Sequence, residues 1–282
     1  EGAFDGLDIA LFAGTEGESG ASQLYGWQAV GKGVFVVDNG SDFRMDERVP
    51  LVVPEVNPEA IGGHQGFVAN PNCSTIQMVA ALAPLHREAG LKRVVVCTYQ
   101  SVSGTGRSGV AALQEQRGAG GPVADLGPYP HPIYNNCIPE IGSLKDDSFP
   151  GYYSEEVKMV LETRKILDCP ELPVTATCVR VPVECSHSEA INAEFERAIG
   201  PDEARSVLQK APGVTVVDEP QRSRYPLASD ATGRDDVYVG RIRRDPSRPN
   251  SLDLWCVSDN LLKGAALNAV QIAEKAVEMD LV

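Results

Sequence analysis

The apolar positions fall into short runs near the start of the chain and longer periodic stretches further on. Runs at Ile9–Phe12, residues 33–38 and residues 51–53 are parted by polar, glycine-bearing turns. Brief apolar runs alternating with short helical segments read as strands of a doubly wound parallel sheet. From Cys73 the apolar spacing becomes helical and continues through His86, and residues 93–99, rich in Val, read as a strand. Residues 155–167 and 264–279 have helical spacing, whereas 174–183, 214–217, 237–243 and 251–257 read as strands of a second sheet. The segment 188–196 signals a further helix, with Ser186 or Ser188 as its cap. Residues 118–151 are dense in Gly and Pro, including Pro128-Tyr129-Pro130-His131-Pro132. They read as an irregular surface excursion suited to subunit contacts.

One turn carries chemistry. Asn70-Pro71-Asn72-Cys73-Ser74-Thr75 sets a cysteine where a helix opens. Unpaired N–H groups and the positive end of the helix dipole favour a thiolate there, which predicts a nucleophile active at neutral pH. The common alternative is a small buried cysteine at a helix start. Far downstream, the β-branched strand ending near Arg180 runs into a polar segment carrying His187. Arg180 offers a planar fork suited to a carboxylate, and His187 can move a proton near neutral pH.

Seven blocks in order then resemble one family. They are Val37-Asp38-Asn39 with Phe43-Arg44, Pro50-Leu51-Val52-Val53-Pro54-Glu55-Val56-Asn57, and Asn70-Pro71-Asn72-Cys73. Tyr99-Gln100-Ser101-Val102-Ser103-Gly104-Thr105-Gly106 and Glu155-Glu156-Val157-Lys158-Met159 follow. The Arg180…His187 block and Ser258-Asp259-Asn260-Leu261-Leu262-Lys263-Gly264-Ala265-Ala266 complete the series. The chain resembles the aspartate-β-semialdehyde dehydrogenases along nearly its whole length.

The resemblance implies an α/β fold: a partial Rossmann-like parallel-sheet domain over residues 1–72 and an α+β catalytic and dimerisation domain over 73–262. A C-terminal helix, 263–282, would return to the first domain. It also implies NADP-dependent reductive dephosphorylation of aspartyl-4-phosphate to aspartate semialdehyde, on the route to lysine, threonine, methionine and diaminopimelate. Cys73 would attack the acyl phosphate and hold a thioester. His187 would act as general acid or base, and Gln100 would steer the acyl group. Arg180 would pair with the substrate carboxylate and Glu155 with its ammonium; Arg44 and Lys158 would bind phosphate, and Asn72 belongs to the same substrate site. Ser103, Gly104 and Asn260 would touch the cofactor. A homodimer or homotetramer is implied. Two alternatives stand beside this reading: a related acyl-phosphate reductase, such as an N-acetyl-γ-glutamyl-phosphate reductase, and an inactive fragment that only dimerises through the second sheet. The pairs Glu155–Lys158 and Arg180–His187 match a free amino-acid substrate and favour the first reading.

Two departures from the family pattern stand out. No Gly-x-Thr-Gly-x-Val-Gly turn is present, and Glu1 to Phe12 looks like a later strand of the first domain, so roughly one βαβ unit of about 30 residues is expected to be missing. The turn after Phe12 carries Glu16 and Glu18, whose charges would repel a phosphate-rich cofactor if they pointed inward.

Composition changes little. The net charge of −14, with no basic tract, speaks against nucleic acid. No apolar run approaches the roughly 20 residues needed to cross a bilayer. Seven cysteines without Cys-x-x-Cys pairs argue against a disulfide framework or a metal site and fit a reduced cytoplasm.

Overall fold

The chain is described from a computed structural model, covering residues 2–14, 17, 20–120 and 123–282. The acidic turn with Glu16 and Glu18 lies outside the described residues. Among the described residues, nine strands form two sheets, and of the seven α-helices one is wedged between them.

The first sheet is parallel, in the order β1 (Ile9–Phe12), β2 (Phe35–Asp38), β3 (Phe67–Ala69). A short helix, α1 (Trp27–Val30), links β1 to β2. Residues 51–53 depart from the strand expectation, for only Leu51 bridges to Ala69. The Asn57 side chain accepts from the Val53 N–H (2.9 Å) and donates to the Leu51 carbonyl (3.0 Å), taking the place of a strand partner.

The second sheet is mixed, in the order β5-β4-β6-β9-β8-β7. Its strands are β4 (Leu91–Gln100), β5 (Val174–Arg180), β6 (His187–Phe195), β7 (Val214–Val216), β8 (Val237–Arg244) and β9 (Ser251–Ser258). The helix expected over 188–196 is instead β6, hydrogen-bonded on both sides by β4 and β9. Its Glu and Ala residues favour helix, but His187, Glu189, Ile191, Ala193 and Phe195 all bury their alternate side of the ribbon. The expected strand 174–183 ends at Arg180, two residues before Pro182, which has no N–H to donate to a ladder.

The helices are α2 (Cys73–Ala89), α3 (Arg107–Ala119), α4 (Ser154–Ile166), α5 (Pro201–Leu208), α6 (Ala228–Ala231) and α7 (Leu267–Glu278). Helix α2 is buried on two sides. Met78, Leu82 and Leu85 join the core of the mixed sheet, while Ile76, Val79 and Ala83 join that of the parallel sheet. Helix α7 returns to the parallel sheet, packing Ala269, Ile272 and Ala276 on Phe35, Val37 and Val68. The Gly/Pro-rich segment is less superficial than expected: Tyr129, Ile133 and Ile138 pack on α3 residues Ala112 and Leu113. The buried Gln116 side chain accepts at Oε1 from the N–H groups of Ile133 (2.9 Å) and Tyr134 (3.0 Å), fastening the loop to α3.

Along the buried face of the mixed sheet, side chains change from apolar to polar toward one end. Val96, Ile191 and Leu254 form one row. Thr98, Cys178, Glu189 and Cys256 form the next, and Gln100, Arg180, His187 and Ser258 occupy the polar end. The start of α2, with Cys73, faces that polar end.

Candidate active site

A cleft of about 630 Å³ opens between the two sheets. Its walls include Asn39, Arg44, Asn72, Cys73, Gln100, Ser103, Gly104, Glu155, Lys158, Arg180 and Asn260. Ten of the residues singled out in the sequence thus line one cavity. His187 sits immediately behind it.

The thiol is placed by its cap. Asn72 has extended backbone, and its Oδ1 accepts from the N–H groups of Ser74 (3.0 Å) and Thr75 (3.1 Å), satisfying the first turn of α2. Its Nδ2 donates to Glu155 Oε1 (2.8 Å), and its backbone N–H donates to Glu162 Oε2 (2.6 Å). Gly264 is packed so close that a methyl group there would lie 2.9 Å from Cys73 Cβ. Asn72→Ala is expected to lower stability by about 1–2 kcal/mol through the lost cap. Equilibrium urea unfolding measures this, and a change below a few tenths of a kcal/mol would show that the cap does not hold the helix start.

The expected neutral-pH thiolate is not what this arrangement produces. Removal from water, then the neighbouring Glu155 charge, push the Cys73 thiol up to about 12. Arg180, Arg44 and the Ser74 N–H act in the other direction but do not prevail. Asn72 already occupies the first-turn N–H groups that could otherwise face a thiolate.

Arg180, at the end of β5, is opposite Gln100 in the ladder and donates from Nη1 to the Ser101 carbonyl (2.6 Å). Gln100 Nε2 donates to Glu155 Oε1 (3.2 Å) and to Thr98 Oγ1 (3.3 Å). Lys158 lies one turn beyond Glu155 on α4, its ammonium 3.7 Å from Glu155 Oε2. Arg44 follows β2 of the parallel sheet and donates to Glu162 Oε1 (3.1 Å).

His187 is fully buried, at the first position of β6. The Ser101 N–H donates to its Nδ1 (3.1 Å), so the neutral ring carries its proton on Nε2. Burial, then the Arg180 charge, hold the imidazolium well below the ordinary histidine range. A methyl at Gly104 would lie 3.1 Å from Nε2 and 2.9 Å from Arg180 Nη1. Gly104 therefore stands between His187 and the cleft and packs against the Arg180 guanidinium, which lines the cleft itself. Asn260 Oδ1 accepts from Ser101 Oγ (3.1 Å), Ser103 Oγ (3.0 Å) and the Ser186 N–H (2.9 Å), tying the glycine loop to the C-terminal segment.

Residues 1–64 match the family description "Semialdehyde dehydrogenase, NAD binding domain", and residues 82–263 match "Semialdehyde dehydrogenase, dimerisation domain". The aspartate-semialdehyde dehydrogenase of Aquifex aeolicus is 49% identical over 289 residues, spanning 100% of this chain and 83% of that protein. That of Bacillus subtilis is 46% identical, spanning 99% and 82%. The chain belongs to the aspartate-semialdehyde dehydrogenase family. Among solved structures, the Vibrio cholerae aspartate semialdehyde dehydrogenase II complexed with ASA superimposes with a TM-score of 0.91 at 43% identity, covering 98% of this chain and 81% of that one. The Candida albicans enzyme with NADP gives a TM-score of 0.74 at 26% identity, covering 98% and 78%. No helix among the described residues is long and apolar enough to cross a membrane.

Two buried charges in this region have no role in the sequence reading, Lys263 standing there only within a matching block. Glu162 touches both Arg44 and Asn72, and Lys263, next to the Gly264 that packs on Cys73, binds Glu55. A sequence signal existed for Glu162: with Glu155 and Lys158 it lies on a stripe of α4 spaced by three and four residues.

Proposed function

We propose that this chain reduces aspartyl-4-phosphate to aspartate semialdehyde with release of phosphate, reversibly and with NADP. The observation that carries the proposal is the convergence of one thiol, one fork-shaped cation, one carboxylate and two further cations on a single cleft. A free amino acid bearing a terminal acyl phosphate needs that set of partners.

Cys73 Sγ adds to the acyl carbon, its thiol proton passes to the departing phosphate as the carbon–oxygen bond to phosphate breaks, and the acyl group remains as a thioester. His187, whose Nε2–H faces Gly104 at the edge of the cleft, would hydrogen-bond the oxygen that gains charge at the tetrahedral stage. Arg180 holds the α-carboxylate through charge-assisted bonds. Glu155 holds the ammonium and, through Asn72 and Gln100, shares its support with the thiol helix and the strand end. Arg44 and Lys158 supply positive charge for the departing phosphate.

The cofactor fits the residues present. Ala13, Gly14 and Asn39 follow the carboxyl ends of β1 and β2 and line the cleft, the region where parallel sheets of this class bind dinucleotides. Gly264, Ala265 and Asn260 form the opposite wall, and small side chains there leave room for a flat ring. Ser103 and Gly104 adjoin it. When bound, the nicotinamide supplies the hydride that turns the acyl carbon into an aldehyde.

Dimerisation through the outer face of the mixed sheet accords with its composition, for Tyr99 and Trp255 pair there with ring centroids 5.5 Å apart and Tyr99 is 39% exposed. We further propose a domain division at residues 72 and 262; the parallel sheet within residues 9–69, the mixed sheet within 91–258 and the packing of α7 on the parallel sheet support it.

The test is phosphate-dependent reduction of NADP with aspartate semialdehyde. Arg180→Lys is expected to raise the KM for the aldehyde roughly 10- to 100-fold, the equivalent of losing about 1.5–3 kcal/mol of charged bidentate contact. Preference for an N-acylated glutamate semialdehyde over the free amino-acid aldehyde would instead place the chain with the related acyl-phosphate reductases.

A further inference from the structure

We propose that Glu162 is a positioning residue that couples anion recognition by Arg44 to the start of the thiol helix; this rests on the functional reading above. Its carboxylate is 2% exposed and makes two bonds to distant parts of the chain. Oε1 accepts from Arg44 Nη1 (3.1 Å), 118 residues away in sequence. Oε2 accepts from the Asn72 N–H (2.6 Å), the residue whose side chain caps the helix bearing Cys73.

The rest of the geometry makes the arrangement specific. Arg44 is also held from Nε by the Gly40 carbonyl (3.0 Å) and from Nη2 by the Asn39 carbonyl (3.0 Å), so its fork has a set direction. One turn along α4, Lys165 Nζ donates to the carbonyls of Arg44 (2.8 Å), Asp46 (2.9 Å) and Val49 (2.8 Å). Helix α4 therefore grips the Arg44 loop twice, but only Glu162 also reaches the thiol cap. An anion drawn to Arg44 shares that cation with Glu162, which frees the carboxylate to bind the Asn72 N–H more strongly. One carboxylate thus sets phosphate recognition and thiol placement together. A glutamine of the same shape has one accepting and one donating end, so it can satisfy Arg44 or Asn72 but not both.

The experiment compares Glu162→Gln, Glu162→Asp and Lys165→Met with the wild-type chain, all with matching far-UV circular dichroism. Cys73 alkylation by iodoacetamide is followed without substrate while inorganic phosphate is titrated. Both Glu162 variants are expected to change the phosphate-free alkylation rate at least fivefold and to raise the phosphate concentration for half-maximal effect at least fivefold. Asp shows the same pattern because it is too short to span both partners. Lys165→Met, which loosens the same loop without touching Asn72, is expected to shift the phosphate response yet leave phosphate-free alkylation within twofold. Wild-type alkylation in both Glu162 variants would overturn the proposal, and so would an equal change in Lys165→Met, which would mean general loosening. Failure of the wild-type chain to oxidise aspartate semialdehyde would sink the functional reading alone, since the phosphate-free alkylation comparison needs no turnover.

Discussion

Replacing Cys73 by serine is expected to lower turnover by at least about 10⁴-fold, a loss of more than about 5 kcal/mol of transition-state stabilisation. The hydroxyl is a poor nucleophile at neutral pH, and among the described residues no other thiol lines the cleft to replace Cys73. The substitution removes little volume at a helix start whose cap lies on Asn72, so folding should survive it. A serine variant retaining turnover within tenfold of wild type would exclude covalent catalysis at this position. The same thiol has a defined pH behaviour. With its pKa raised to about 12 by burial and Glu155, the ligand-free protein holds mainly neutral thiol at pH 7. Alkylation by iodoacetamide should therefore rise about tenfold per pH unit from 7 to 10, because only the thiolate reacts. A plateau starting near pH 7 would contradict this and would return the thiolate expected from the helix N-terminus alone.

The largest effect on stability is expected at Lys263. Its side chain is 1% exposed, and Nζ lies within hydrogen-bonding distance of Glu55 Oε1 (2.7 Å) and Oε2 (2.6 Å), Asn268 Oδ1 (2.9 Å) and Gln271 Oε1 (2.6 Å). Asn268 continues the network through Nδ2 to the Val52 carbonyl (3.0 Å) and Asn70 Oδ1 (2.6 Å), and Asn70 Nδ2 donates to Asn39 Oδ1 (2.5 Å) at the cleft. Burial lowers the ammonium's pKa while Glu55 opposes that shift. Lys263→Met leaves the Glu55 carboxylate without its counter-charge in a largely dry site, which should cost about 3–5 kcal/mol. The corresponding fall in Tm is on the order of 10 °C. Thermal unfolding measures it, and the double variant Glu55→Gln with Lys263→Met should recover more than half of the loss, because no lone charge is then buried. Equal instability in single and double variants would mean that packing of the lysine stem, not the ion pair, is what matters.

Most of the candidate site was legible in the chain because its parts lie in short motifs with local causes. Asn72 before Cys73 is a cap before an apolar helix, and Glu155 to Lys158 is one helical turn; both are where the sequence placed them. Their convergence needed the resemblance, since Arg44, Cys73, Gln100, Glu155 and Arg180 come from separate elements. The helix expected at β6 shows the limit of local preference: Glu189, Ala190, Ala193 and Glu194 suit a helix, yet ladders from β4 and β9 bind that segment on both edges. Strand β3 escaped notice because three residues carry too little pattern.

By itself the sequence determined the identities and spacing of the reactive groups, the helix that opens at Cys73 and the first two strands of the parallel sheet. Each depends on neighbours a few residues apart. Only the tertiary structure decided the ionisation of Cys73, the tautomer of His187 and the partners of Glu162 and Lys263. Those depend on water exclusion and on partners far away in the chain: Glu162 meets Arg44 across 118 residues, and Lys263 meets Glu55 across 208. Burial and long-range charge contacts are properties of the packed molecule, so no local pattern records them.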